Sequence, residues 1–283
     1  MTTCLLIAHL LVIYYRVYKF INYTSASERY IISPMAGHSH WAQIKHKKAK
    51  VDAQRGRIFN KLIREITVAV REGGPNPETN PRLRSAIENA KRFNMPWETI
   101  ERAIKKGSGE LGGENYEEVL YEGYGPGGVA LMILTTTDNR NRTTAEIRHV
   151  LSKHGGNLGT SGCVSFMFDR VGIIEVPRES ISEDELYEKA IEAGAEDIQT
   201  GEAFYTVYTR PEDLYAVKES LEKASVQIQR AEVTYRPNTT VPIEDAETAQ
   251  KLFKLLEALE ELDDVKEVIA NFDIPEHIMQ KVL

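Results

Sequence analysis

Residues 37–73 read GHSHWAQIKHKKAKVDAQRGRIFNKLIREITVAVREG, and the folding of this stretch orders the rest of the chain. Stepped at about 100° per residue from Lys50 to Glu72, Val51, Ile58, Phe59, Leu62, Ile63, Ile66, Ala69 and Val70 share one side of a helix. Lys50, Arg57, Lys61, Arg64 and Arg71 line the opposite side. One face is built to bury and the other to meet negative charge. Lys45, His46, Lys47 and Lys48 precede the helix around Trp41 and Ile44, and Arg55 adds a cation near its start. A solvated polar face would give the same pattern. Charge over the whole chain decides between the two readings.

The 283 residues carry a net charge of −7, on a length that suits two or three domains. Residues 35–110 hold 16 Lys and Arg against 8 Asp and Glu, a net of +8. Residues 111–283 hold 16 against 33, a net of −17, and the first 34 hold 3 against 1. A basic segment on an acidic remainder points to a polyanion partner for one end only, with the acidic part facing away from phosphate. Of the two cysteines, Cys4 and Cys163, neither belongs to a disulfide framework or metal knuckle, which fits a reducing cytoplasm.

Residues 1–34 carry an apolar run from Leu5 to Tyr15 broken by His9. It is shorter than the roughly 20 residues of a spanning helix. Arg16 and Lys19 follow it, the reverse of a secretory signal. This segment is read as a leader outside the working protein, with translation starting at Met35; a weak membrane anchor is the alternative.

Gly73-Gly74-Pro75-Asn76-Pro77 stops the first helix. Asn80 then caps a second with Pro81 at its first position, and Leu83, Ala86, Ile87 and Ala90 form its apolar stripe. Arg82, Arg84, Lys91 and Arg92 lie off that stripe. Pro96 opens a third helix with Trp97, Ile100, Ala103 and Ile104, closed by Gly107. Residues 35–112 therefore read as a basic three-helix bundle. Its short second link resembles a helix-turn-helix only as any bundle would.

From Tyr116 the pattern turns strand-like, over Val119–Tyr124 and Val129–Thr136. Between them Gly123-Tyr124-Gly125-Pro126-Gly127-Gly128 lacks the G-K-[ST] ending of a nucleotide loop and reads as a hairpin turn. A helix starts near Asn141–Thr143, and its free N–H groups beside Arg140 and Arg142 suit an anion. Ordinary capping by Asn and Thr explains the residues as well. A strand is expected over Cys163–Phe168. Residues 171–237 follow the β-α-β-β-α-β order of a ferredoxin-like domain, with acidic helices that disfavour nucleic acid. A helix over Ile243–Leu262, a strand over Val265–Phe272 and a helix from Pro275 are too little for a domain. They should return to complete the sheet begun at Tyr116. The middle domain then comprises 113–170 plus 238–283, with the ferredoxin-like domain inserted, and the fold class is α+β multidomain.

No serine-histidine-acid signature, H-E-x-x-H, paired-Cys zinc spacing or dinucleotide fingerprint occurs. His38, His40 and His46 sit among lysines that repel a cation. The chain reads as a non-enzyme without cofactor, metal or small-molecule substrate, and its oligomeric state is not legible.

Five motifs carry a resemblance: MAGHSHWAQIKHKKA from Met35, FNKLIREI at 59–66, GYGPGG at 123–128, TDNRNRT at 137–143 and GGNLG at 155–159. They are similar to the YebC-like family, across nearly all of 35–283. The resemblance implies a helical bundle first and a ferredoxin-like domain inserted in the second. It also implies DNA binding and transcriptional control in the cytoplasm, with some members acting on ribosomes and translation, and no catalytic residue. The leader before Met35 departs from the family's bacterial members.

The expected phosphate contacts are Lys45, His46, Lys47, Lys48, Lys50, Arg55, Arg57, Lys61, Arg64, Arg71, Arg82, Arg84, Arg140 and Arg142. The expected partner is nucleic acid, DNA or else RNA of the ribosome, and not a membrane. Five to eight such contacts correspond to a salt slope of about −4 to −7 in log K against log salt. For the leader, the mass of protein isolated from its native host is expected to begin at Met35, and a mass that includes residues before it refutes the internal start.

Overall fold

The structure is a computed structural model that describes residues 53–112, 115–201 and 203–282. The chain runs α1 (Ala53–Gly73), α2 (Pro81–Arg92), α3 (Trp97–Gly107), β1 (Glu117–Tyr124), β2 (Ala130–Thr137), α4 (Arg140–Lys153) and β3 (Asn157–Leu158). It continues through β4 (Phe168–Pro177), α5 (Glu183–Ala193), β5 (Asp197–Thr200), β6 (Phe204–Thr209), α6 (Leu214–Lys223) and β7 (Arg230–Pro237). It closes with β8 (Val241–Pro242), α7 (Ala246–Glu260), β9 (Val265–Ala270), β10 (Phe272–Asp273) and α8 (Glu276–Val282). Among the described residues no helix is long and apolar enough to cross a membrane.

The first three helices pack through the residues that the periodicity selects. Leu62, Ile66, Ala69 and Val70 meet Leu83, Ala86, Ile87, Ala90, Ile100 and Ala103, with Ile58, Phe59, Ile63 and Ile104 at the margin. Asn80 joins the end of α1 to the start of α2. Its Oδ1 accepts from Leu83 N at 3.0 Å, and its Nδ2 donates to Ala69 O at 2.7 Å and Gly74 O at 2.9 Å. Gly107 lets α3 close on α1, because a Cβ there would stand 2.8 Å from Thr67 O and from Val70 Cβ. Trp97 departs from the expected stripe. It is 55% exposed, while Met95, two residues earlier, takes the core position.

A four-stranded sheet of order β3-β1-β2-β9 follows. β1 and β2 form an antiparallel hairpin from Glu117↔Thr137 to Tyr124↔Ala130, turned by a 3-10 segment at Pro126–Gly128. The glycine cluster is thus a turn, with Gly127 and Gly128 at φ of 76° and 77°. β9 pairs antiparallel with β2, so the C-terminal segment returns to this sheet. β2 is buried on both faces. Leu131 and Ile133 pack on Ile147, Leu151 and the apolar side of α7, whereas Ala130 and Met132 pack on Val164, Phe168 and Ile269.

Between β4 and β7 the chain forms a second antiparallel sheet, of order β5-β6-β4-β7, with α5 and α6 packed on it. That is the ferredoxin-like βαββαβ arrangement, inserted between β2 and β9 of the first sheet. The fold is therefore α+β multidomain, with a helical bundle, a mixed middle part and the inserted ferredoxin-like part.

The strand expected over Cys163–Phe168 is absent; β4 begins at Phe168 after a 3-10 turn at Ser165–Met167. The cause is Glu122, whose buried carboxylate accepts from Gly162 N at 2.6 Å, Val164 N at 2.8 Å and Ser165 N at 2.9 Å. Donors drawn to one carboxylate are lost to a strand ladder. Glu122→Ala should strand those N–H groups and destabilise the protein by about 2–4 kcal/mol. Urea unfolding checks this: the midpoint falls with an unchanged slope, and an unmoved midpoint refutes the anchoring role.

Candidate nucleic-acid interface

The described cations of the expected stripe on α1 each contact the protein itself, with Arg57 and Arg71 remaining exposed. Lys61 Nζ donates to Glu260 O at 2.8 Å, in the last turn of α7, and the Arg64 guanidinium to Asp263 O. Arg64 also pairs with Asp264 at 2.9 Å, and Arg57 with Glu261 at 3.4 Å. Arg71 donates to Tyr116 O at 2.9 Å and to the Asn115 side chain. The C-terminal end of α7 presents outward carbonyls and the negative end of its dipole, to which cations are attracted. Consecutive residues from Ile66 to Val70 are all buried, so this part of α1 has no open side. The stripe meets negative charge as its sequence suggests, but the charge belongs to the acidic part of the same chain.

The start of α4 is filled in the same manner. Asn139 caps the helix, accepting from Arg142 N at 3.1 Å. Asp264, 2% exposed, receives Thr143 Oγ1 at 2.6 Å, Arg142 Nη2 at 2.7 Å and Thr137 Oγ1 at 3.2 Å on one carboxylate oxygen. Burial raises the Asp264 pKa, but the Thr143 and Arg142 hydrogen bonds and the Arg64 charge outweigh it, and the net shift is downward. Arg142 also holds Asp138 at 2.6 Å, and Arg140 grips Glu117 through two bonds of 2.5 and 2.7 Å. The anion that this helix start suits is an internal carboxylate.

Arg82 is likewise committed. It reaches Glu65 at 3.2 Å, Glu72 at 2.5 Å and Glu118 at 2.5 Å. Glu65 also receives Lys266 at 3.0 Å, and Lys266 reaches Glu232 at 3.8 Å. Arg230 pairs with Glu232, with Glu267 at 3.0 Å and with Glu175 at 3.7 Å. This cluster joins α1 and α2 to β1, β9, β4 and β7, and so links all three parts of the fold. Burial pushes the Glu65 carboxyl up, yet Lys266 and Arg82 overcome it and hold its pKa at about 2. Glu232 goes the other way, raised chiefly by burial against the pull of Arg230 and Lys266, with Glu267 and Glu65 adding to the rise. The periodicity of single elements gave no sign of this cluster, since its members come from six elements.

Of the other sequence-selected residues, Lys45, His46, Lys47, Lys48 and Lys50 lie outside the described residues, as do the Arg55 side chain, His38 and His40. Arg84 is exposed, donates to the carbonyls of Pro77 at 3.2 Å and Glu78 at 3.4 Å, and lies close enough to Glu219 to favour its charged form. Arg92 crosses to Ile228 O at 2.6 Å. Lys91, Phe93, Trp97 and Arg102 lie at the surface. Among the described residues no group of three or more His, Cys, Asp or Glu could hold a metal.

Fold and site together define a three-part α+β protein with a basic helical head, docked by ion pairs on two sheet-bearing parts. The chain belongs to the TACO1/YebC family: residues 39–110 match the model of the family's N-terminal domain, and residues 116–272 that of its second and third domains. A protein of Aquifex aeolicus called a probable transcriptional regulatory protein is 71% identical over 248 residues, covering 88% of this chain and 100% of that one. Similarly named proteins of a Sulfurihydrogenibium strain and of Persephonella marina are 64% and 61% identical over 249 residues each. The crystal structure of a conserved hypothetical protein from Aquifex aeolicus is similar with a TM-score of 0.79 at 71% identity, covering 84% of this chain and 98% of that one.

Glu65 sets an acid limb of stability. Its folded pKa lies below the ordinary 4.5, so its ion pairs stabilise the fold fully above about pH 5 and are lost as pH falls through about 2. Glu232, with a raised pKa, gains its proton early and offsets part of that loss. Urea midpoints taken between about pH 6 and about pH 2 should therefore fall less steeply in Glu65→Gln than in the parent. Equal slopes would remove Glu65 from the cause.

Proposed function

We propose that this is a nucleic-acid-binding regulatory protein without enzymatic activity, and that it acts as a DNA-binding transcriptional regulator in the cytoplasm. The observation that carries this reading is the separation of charge, +8 over residues 35–110 against −17 over residues 111–283. A polyanion is drawn to one end of such a chain and repelled by the other. The names of the relatives, probable transcriptional regulatory proteins, favour the same assignment. Because Arg57, Lys61, Arg64, Arg71, Arg82, Arg140 and Arg142 also hold groups of the same chain, we favour Lys45, His46, Lys47, Lys48 and Lys50, with Arg55 and Arg84, as the principal contacts. Phosphate contacts of this kind position a protein on a backbone and do not read bases.

Association with the ribosome as an RNA-binding translation factor is the second reading. It draws on the exposed face of α3, where Glu98, Glu101, Arg102 and Lys105 do not form the Asn, Gln and Arg set of a base-reading helix. Nucleic acid that co-purifies from cells, identified by nuclease digestion, separates the two: promoter DNA supports the first, and ribosomal RNA in bulk replaces it with the second.

With about six or seven proposed phosphate contacts, log K for a duplex should fall with log salt at a slope of about −5 to −6. Replacing Lys45, Lys47, Lys48 and Lys50 together by Ala should bring that slope to about −2 to −3. A slope unchanged in the variant would place the contact surface elsewhere.

A further inference from the structure

The turn between α2 and α3 presents two aromatic side chains to solvent, Phe93 at 45% and Trp97 at 55% exposure. Their exposure is built into the backbone. Asn94 takes a left-handed φ of 55°. Its N–H bonds Lys91 O at 2.9 Å, and Met95 N bonds Ala90 O at 3.0 Å. That geometry plants Met95 in the bundle core and turns the residues on either side of it outward. A single exposed apolar side chain is ordinary on a protein surface, but two aromatic rings at one turn with a lysine over one of them make a local feature.

Both signs of charge border these rings, with Glu98 and Glu101 exposed on α3 and a lysine on the Trp97 ring itself. Lys91 Nζ lies 5.5 Å from the centre of the Trp97 ring, a cation–π pair that leaves the indole still more than half exposed. Arg102 is exposed on α3, and Glu101 is neutralised by Lys105 at 2.7 Å. The exposed large apolar side chains at this turn are the two aromatic rings, in a segment of net +8. Aromatic surface beside ammonium groups suits a base and its phosphate together, and a base offers its face only where it is unpaired.

We propose that Phe93 and Trp97 form a stacking platform for unpaired bases, so that the head binds single-stranded nucleic acid more tightly than duplex. This rests on the head being the nucleic-acid-binding part and adds the class of strand it takes. Lys91 positions the backbone beside the stacked base. The platform is sequence-tolerant, since every base has a face to stack, which agrees with a head that lacks a base-reading helix.

The test uses the full chain in a Trp41→Phe background, in which Trp97 is the one remaining tryptophan. Oligothymidylate and oligouridylate of about twenty nucleotides, and a duplex of the same length, are titrated at fixed salt. Both single strands should quench Trp97 emission, and the tighter of the two identifies DNA or RNA as the better source. Trp97→Ala and Phe93→Ala should each weaken single-strand binding about tenfold, leaving duplex binding and the salt slope unchanged. Trp97→Phe should retain most of the affinity and Trp97→Leu should not.

Absence of quenching overturns the platform, as does an equal loss for duplex and single strand or a Trp97→Leu variant that binds like the parent. If the four-lysine variant loses both ligands while Trp97→Ala loses neither, the head still binds nucleic acid and the platform alone fails. If the parent binds neither ligand in dilute buffer, both readings fall.

Discussion

Asp264 is the constraint around which the rest is arranged. A carboxylate 2% exposed must be matched by donors, because an unpaired buried charge is far costlier than a solvated one. Its donors come from separate places in the chain: Arg64 from the first helix, and Thr137, Arg142 and Thr143 from the end of β2 and the first turn of α4. Satisfying that single group fixes the head against the junction of α7 and β9 and fixes the start of α4 at the same time. The TDNRNRT segment is accounted for by this latch, since it supplies one cap, two hydroxyls and one guanidinium to it.

Charge in this protein does two jobs that the linear sequence does not separate. Arg57, Lys61, Arg64, Arg71, Arg82, Arg140 and Arg142 hold carboxylates and carbonyls of the same chain, and together with the Glu65, Lys266 and Arg230 cluster they bind three packed parts into one unit. Removing one member of such a cluster leaves its partners uncompensated in a poorly solvated seam, so the cluster specifies how the parts sit. The remaining cations of the head, above all the lysine run before α1, are the ones that the proposed partner would contact.

The apolar patterns were legible because they are local. Leu83, Ala86, Ile87 and Ala90 fall on one stripe by spacing alone, and all four lie in the bundle core. The βαββαβ order and the return of β9 to β2 follow from element order and from the rule that a lone strand needs a sheet. Two local readings gave way to tertiary effects. The Cys163–Phe168 run lost its strand to the Glu122 carboxylate, and Trp97, periodic with Ile100 and Ile104, was displaced outward when Met95 filled the core. Glu122 lies far from that run in sequence, and Met95 sits in the turn before α3, outside the helical spacing, so a periodic pattern reveals neither.

By itself the sequence determined the helices, most of the strands, the two four-stranded sheets and the gross separation of positive from negative charge. These are set by side-chain spacing, capping residues and composition, which act over a few residues or over the whole sum. Tertiary structure alone decided which cation meets which anion. Ion pairing depends on distances of a few ångströms between residues as far apart as Arg64 and Asp264, and amino-acid order does not contain those distances until the chain is packed.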